Sequence, residues 1–153
     1  MATSDLVNYL DGKAADVGTS NRRIVETFLC GSTAVGTPIA AGDWVAFEAA
    51  ATDGLEPITV IKAGTASLGN SLVCGVALEA GTAVGARIQV VTRGYVADAN
   101  VASTTAAGPL VVDGAAGRAE AAVAADHTAP PCGASLATAS GNKADVIVYS
   151  NFR

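Results

Sequence analysis

Short runs of β-branched and aromatic residues, broken by Gly-containing turns, mark the chain from Arg23 onward. Ile24-Val25-Glu26-Thr27-Phe28-Leu29-Cys30 stops at Gly31, and Trp44-Val45-Ala46-Phe47 follows the turn-like Ala41-Gly42-Asp43. Over Arg87–Arg93 the pattern alternates, with Ile88 and Val90 on one side and Arg87, Gln89 and Arg93 on the other. Leu110-Val111-Val112 lies between Pro109 and Asp113-Gly114, and Asp145-Val146-Ile147-Val148-Tyr149 comes near the end. Strands this short predict an all-β fold, a small β-barrel or β-sandwich. The Ala-rich stretch Arg118–Asp126 reads equally well as helix or as strand and loop. Residues 1–22 differ. They are polar, with Thr3 or Ser4 placed to cap a short turn carrying Leu6, Val7 and Leu10 before Gly12. A helix of that length is marginal alone, so 1–22 reads as an extended N-terminal arm and 23–153 as the β-domain.

Within that domain the chain resembles itself. Ala40-Ala41-Gly42-Asp43-Trp44-Val45 matches Ala106-Ala107-Gly108-Pro109-Leu110-Val111, and Cys74-Gly75-Val76-Ala77-Leu78 matches Cys132-Gly133-Ala134-Ser135-Leu136. Ten residues after each Leu stands an alternating strand, with Ile88 and Val90 in one copy and Val146 and Val148 in the other. The expectation is two similar β-units, about 35–97 and 101–153, with an enlarged loop in Thr52–Asn70 of the first. It makes Cys74 and Cys132 equivalent small core positions, and Gly75 and Gly133 equivalent backbone positions.

Composition narrows the function. Half the residues are apolar, aromatics are few, and the 17 glycines imply many tight turns. A chain of 153 residues can bury a core without staples. Nine basic against fourteen acidic residues give a net charge of −5, a poor match to nucleic acid or anionic membrane. The first residues, Met1-Ala2-Thr3-Ser4-Asp5, have neither a basic nor an apolar region, so use without crossing a membrane is expected. Cys30, Cys74 and Cys132 are too far apart for a zinc spacing and read as reduced, buried thiols.

Candidate chemistry is sparse, and the expectation is no enzyme, no cofactor and no metal. His127, the single histidine, stands in the loop-like Ala125-Asp126-His127-Thr128 with no Gly-x-Ser-x-Gly elbow elsewhere. The acidic residues show no calcium-loop spacing, and Asp53-Gly54 and Asp113-Gly114 read as turns. Lys62 lacks the acidic neighbour that a lipoyl-type hairpin would place before it.

What remains is surface. If Asp113 faces solvent, Leu110, Val112 and, by alignment, Trp44 and Ala46 point inward. Val45 and Phe47, and likewise Ile147 and Tyr149, then face the other way. Large apolar groups on both faces mean either a central strand or a subunit contact, and these four are the candidate subunit interface. In the arm, Leu6, Tyr9 and Leu10 are the sizeable apolar anchors.

The succession Ala40-Ala41-Gly42-Asp43-x-Val45, Gly75-Val76-Ala77-Leu78-Glu79-Ala80, then Gly85–Val96, resembles the capsid decoration (cement) proteins of tailed bacteriophages. Ala107-Gly108-x-x-Val111-x-Asp113, Gly117-Arg118 and Gly133-x-x-Leu136 resemble the same family in the second half, so the likeness spans roughly 24–150. It implies a β-barrel or β-sandwich that assembles as a homotrimer on the outer capsid surface, after synthesis in the host cytoplasm. There it bridges the major capsid protein, with no active site. The chain departs from the plainer members of that family in its polar arm of about 22 residues. The arm is expected to serve capsid attachment, with Leu6, Tyr9 and Leu10 as capsid contacts, or to clasp a neighbouring subunit. The alternative is a virion fibre or receptor-binding module recognising a host glycan through Trp44, Phe47, Tyr95 or Tyr149.

Overall fold

The computed structural model describes residues 23–31, 38–49, 51, 54–64, 72–112, 117–122 and 130–149. Nine strands follow one another: β1 (Ile24–Cys30), β2 (Trp44–Phe47), β3 (Thr59–Lys62), β4 (Val73–Ala77), β5 (Arg87–Asn100), β6 (Gly108–Val112), β7 (Ala119–Ala121), β8 (Gly133–Ser135) and β9 (Lys143–Val148). The fold is all-β, as expected. The Ala-rich stretch contributes β7, and the Thr52–Asn70 region contains β3.

Strands β1, β3, β2, β4 and β5 pair in that order, and β5 returns to β1, so five strands close a barrel. β1 meets β3 in parallel at Leu29↔Thr59 and Cys30↔Val60, whereas the other pairings are antiparallel. The second half of β5 then pairs with β9, followed by β8, β6 and β7. An isolated parallel bridge, Val101↔Ala119, ties the end of β5 back to β7. Each unit therefore has the same order of partners, and the 14-residue β5 belongs to both. It turns from one unit to the other through Gly94 (φ +104°) and an irregularity between Val96 and Ala99, beside Asp98 at φ +55°.

Two cores result. Phe28, Cys30, Ile39, Val45, Val60, Cys74, Ala77, Ile88 and Val90 fill the barrel. Trp44, Ala46, Val73, Val76 and Val91 leave its outer face and pack with Val96, Leu110, Val112, Cys132, Val146 and Val148 of the second unit. β2 is thus covered on both faces. Val45, expected to point outward to a subunit interface, is fully buried inside the barrel.

One detail of the repeat also needs correction. In the β2–β4 pair Gly75 stands opposite Val45, while in the β6–β8 pair Gly133 stands opposite Leu110. The Cys74 thiol donates to the Val45 carbonyl at 3.6 Å, and the Cys132 thiol to the Leu110 carbonyl at 3.4 Å. The spatial counterpart of Leu110 is therefore Val45 and not Trp44. The sequence match rests on the Ala-Ala-Gly before the strand, and a slip of one residue inside the strand exchanges its faces. That slip sends Trp44 out of its own barrel and over Gly133, where a β-carbon would lie 2.9 Å from the indole.

Candidate functional site

Four features concentrate chemistry or exposed apolar surface. The first is a polar junction between the units. The Asp43 carboxylate accepts from the Ala40 amide at 2.7 Å and from the Asn100 side-chain amide, and lies 3.1 Å from the Lys62 ammonium. The Trp44 indole donates to the Asn100 carbonyl at 3.0 Å. The start of β2 and the ends of β3 and β5 are thereby joined. The sequence shows Asp43 only as part of a turn, since nothing local reveals partners 19 and 57 positions away (62 − 43 and 100 − 43). Lys62 is engaged here and does not project from a hairpin tip. Asp43→Ala is expected to cost about 2 kcal/mol, below the figure for a wholly buried pair because Lys62 retains some solvent. Urea unfolding of the variant measures it.

The second is the thiols. Cys30, Cys74 and Cys132 are all buried and free. Burial pushes Cys74 and Cys132 up from 9.0 to about 12, and raises Cys30 with help from the nearby Glu79 carboxylate. Such thiols are poor nucleophiles and pack as small apolar groups. As pH rises above about 9 the unfolded thiols ionise while the folded ones keep their protons. Their stabilising contribution, complete below pH 9, is lost progressively towards pH 12. Native protein at pH 8 is expected to resist alkylation at Cys74 and Cys132, and urea should expose both; mass spectrometry after labelling decides.

The third is the outer face of the second unit. Tyr95, Ile147, Ala134 and Pro109 stand side by side across β5, β9, β8 and β6, opposite the core-facing Val96, Val146 and Leu110. Tyr149 and Leu136 continue this face two residues further along their chains and are 43% and 53% exposed. Tyr95 donates its hydroxyl to Asp145 at 3.0 Å, and the Asp98 amide approaches the same carboxylate at 3.4 Å. Desolvation, followed by the bond to Asp145, raises the Tyr95 phenol.

The fourth lies at the end of the barrel where β1 begins. A cavity of about 300 Å³ opens there among Ile24, Glu26, Phe28, Phe47, Cys74, Thr92 and Arg93. Phe28 and Phe47 meet edge to face, with centroids 5.8 Å apart.

The structure thus brings the half-buried Ile147 and the exposed Tyr149 together on one outer face. It places Phe47 at the barrel end and Val45 in the core. Pro109 and Leu136 were not singled out, and Tyr95 only for the glycan alternative; the cross-strand row that joins them comes from register, which no local pattern reports. Leu6, Tyr9, Leu10, Asp113 and His127 lie outside the described residues. Among the described residues, no three His, Cys, Asp or Glu side chains gather as a metal site.

No family model matches the chain, and no curated protein matches it. The functional reading therefore rests on the geometry and on the family resemblance of its motifs.

Proposed function

We propose that the protein is a capsid decoration protein: a homotrimer that binds the outer surface of a phage shell and bridges major capsid subunits. The observation that carries this reading is the outward apolar row of half-buried Tyr95, Ile147 and Ala134 with exposed Pro109, extended by the exposed Tyr149 and Leu136, on a sheet backed by a packed core. A rigid sheet presents such a row without the entropy cost of ordering a loop. A closed barrel also leaves few strand edges for unwanted pairing, which suits a protein held at high density on a shell. The motifs of the resemblance support the same role.

The test is co-sedimentation with the particle of origin, followed by cryo-microscopy; density for the domain outside the shell is expected, and its absence there overturns the reading. For the trimer, Ile147→Glu combined with Tyr149→Asp is expected to yield monomers in sedimentation with melting nearly unchanged. Each apolar side chain buried at a contact contributes about 1.5–3 kcal/mol, so loss of two lowers affinity by at least a hundredfold. A double variant that still associates fully places the interface elsewhere.

A second reading has one observation in its favour. Tyr95 donates to Asp145 beside Asp98, and Tyr149 lies further along the same outer face, an arrangement that also suits a host glycan. Binding on a glycan array, abolished by Tyr149→Ala, would favour that reading over the decoration role.

A further inference from the structure

We propose that the open end of the first barrel receives the N-terminal residues 1–22 of a second copy, added as a strand beside β1; this rests on the homotrimer reading above. Four observations lead there. β1 pairs with β5 from Ile24 to Leu29, but with β3 only at Leu29 and Cys30. Among the described residues, no strand pairs with the other edge of Ile24–Phe28. An extended peptide can take such an edge through backbone hydrogen bonds, with alternate side chains entering a pocket. The pocket is present: the cavity beside this edge is walled by Phe28, Phe47, Cys74 and Thr92, with Glu26 and Arg93 also lining it. Its volume of about 300 Å³ suits one or two side chains of the size of Leu or Tyr.

The second unit supplies the comparison. Its counterparts to Phe28, Phe47 and Cys74 are Ala99, Val112 and Cys132, identified by their pairing with Ala144, Ala119 and the Leu110 carbonyl. All three are buried in a packed core. The same architectural end is sealed in one unit and open in the other, and Ile24 and Val25 beside the opening are 51% and 38% exposed.

The length of the arm selects the occupant. Leu6, Tyr9 and Leu10 are its apolar anchors, and it joins the domain at Arg23, directly before the open edge. A chain folding back on its own strand would lay the residues nearest the turn beside Ile24–Phe28, a stretch of roughly 15 Å. Leu10, with 13 residues to span to Arg23 (23 − 10), would overshoot it. The same span reaches roughly 45 Å when extended, more than the roughly 35 Å width of a domain this size. The anchors therefore reach a neighbour's mouth more readily than their own.

The test uses the full chain with photoreactive benzoylphenylalanine at position 9 in place of Tyr9, assembled from equal parts of ¹⁴N- and ¹⁵N-labelled protein. Irradiation followed by trypsin is expected to give mixed-isotope cross-links from the arm to the peptides beginning at Ile24 or Ile88. Glu26→Trp, which fills the opening from an exposed position, is expected to reduce these cross-links at least tenfold with melting unchanged. Cross-links of a single isotope, cross-links only to capsid protein on the shell, or undiminished yield in Glu26→Trp would each overturn the proposal. Particle binding is scored separately: a protein that decorates shells without arm exchange loses this inference and keeps its function. Arm exchange in a protein that binds no shell does the reverse.

Discussion

Trp44→Ala is expected to destabilise the protein by about 3–5 kcal/mol, the range for truncating a buried tryptophan. A domain of this size would melt roughly 10–15 °C lower. The indole is fully buried, and it is the largest side chain joining the two units. It leaves the first barrel, covers Gly133 and donates to the Asn100 carbonyl. Truncation opens a cavity between the barrel and the second sheet, and neither wall can close it without moving β5. Trp44→Phe should recover most of the loss, failing only to satisfy the Asn100 carbonyl, which costs about 1 kcal/mol. Urea unfolding followed by fluorescence of an introduced probe and by circular dichroism measures both variants. A Trp44→Ala loss below 1 kcal/mol would show that the units do not pack through this residue.

Gly75→Ala is the second large effect. A β-carbon at Gly75 would stand 2.1 Å from the Val91 carbonyl oxygen and 2.8 Å from a Val90 methyl. The first neighbour is backbone and cannot turn aside, so β4 and β5 must separate. Overpacking of this kind costs about 1–3 kcal/mol and occasionally more; the upper end or beyond is expected, because β5 holds both units together. Gly141 gives the control. It has positive φ but open space around its missing β-carbon, so Gly141→Ala should cost only about 1 kcal/mol of backbone strain. Equal losses in the two variants would mean that the close approach at Gly75 is not present in solution.

Gly133 makes a related approach, 2.5 Å from the Ile147 carbonyl oxygen. Both glycines follow a cysteine whose thiol binds the carbonyl of the strand opposite. That recurrence was legible as Cys-Gly in each copy, because close backbone packing admits few residue types. The core-facing side of the first half of β5 was legible because Ile88 and Val90 alternate with Arg87 and Gln89, so alternation carries the information. β3 and β8 were harder. They are short, and β8 consists of Gly133, Ala134 and Ser135, which have little strand preference of their own.

For the outer face of the second unit the sequence singled out Ile147 and Tyr149, but it assigned Val45 to the same kind of surface. A strand covered on both faces is apolar throughout, and periodicity then cannot say which core each residue enters. Asp43 illustrates the complementary case. A carboxylate after Ala-Ala-Gly looks like a turn residue, and its burial beside Lys62 and Asn100 follows only from the meeting of three strands.

The sequence by itself determined the strand class, most of the strand positions and the tandem character of the chain, because these depend on local propensity, turn residues and repetition. Tertiary structure decided the rest. The pairing of Trp44 with Val76 and of Val45 with Gly75 in the β2–β4 pair turned Trp44 towards the second unit and Val45 into the barrel. The irregular passage of β5 through Gly94 and Asp98 allowed one strand to serve both units. The physical reason is that a strand's side chains alternate with period two, so which face meets which core depends on register. Register is set by pairing between distant segments and by the space between them, and neither is written in any local stretch of sequence.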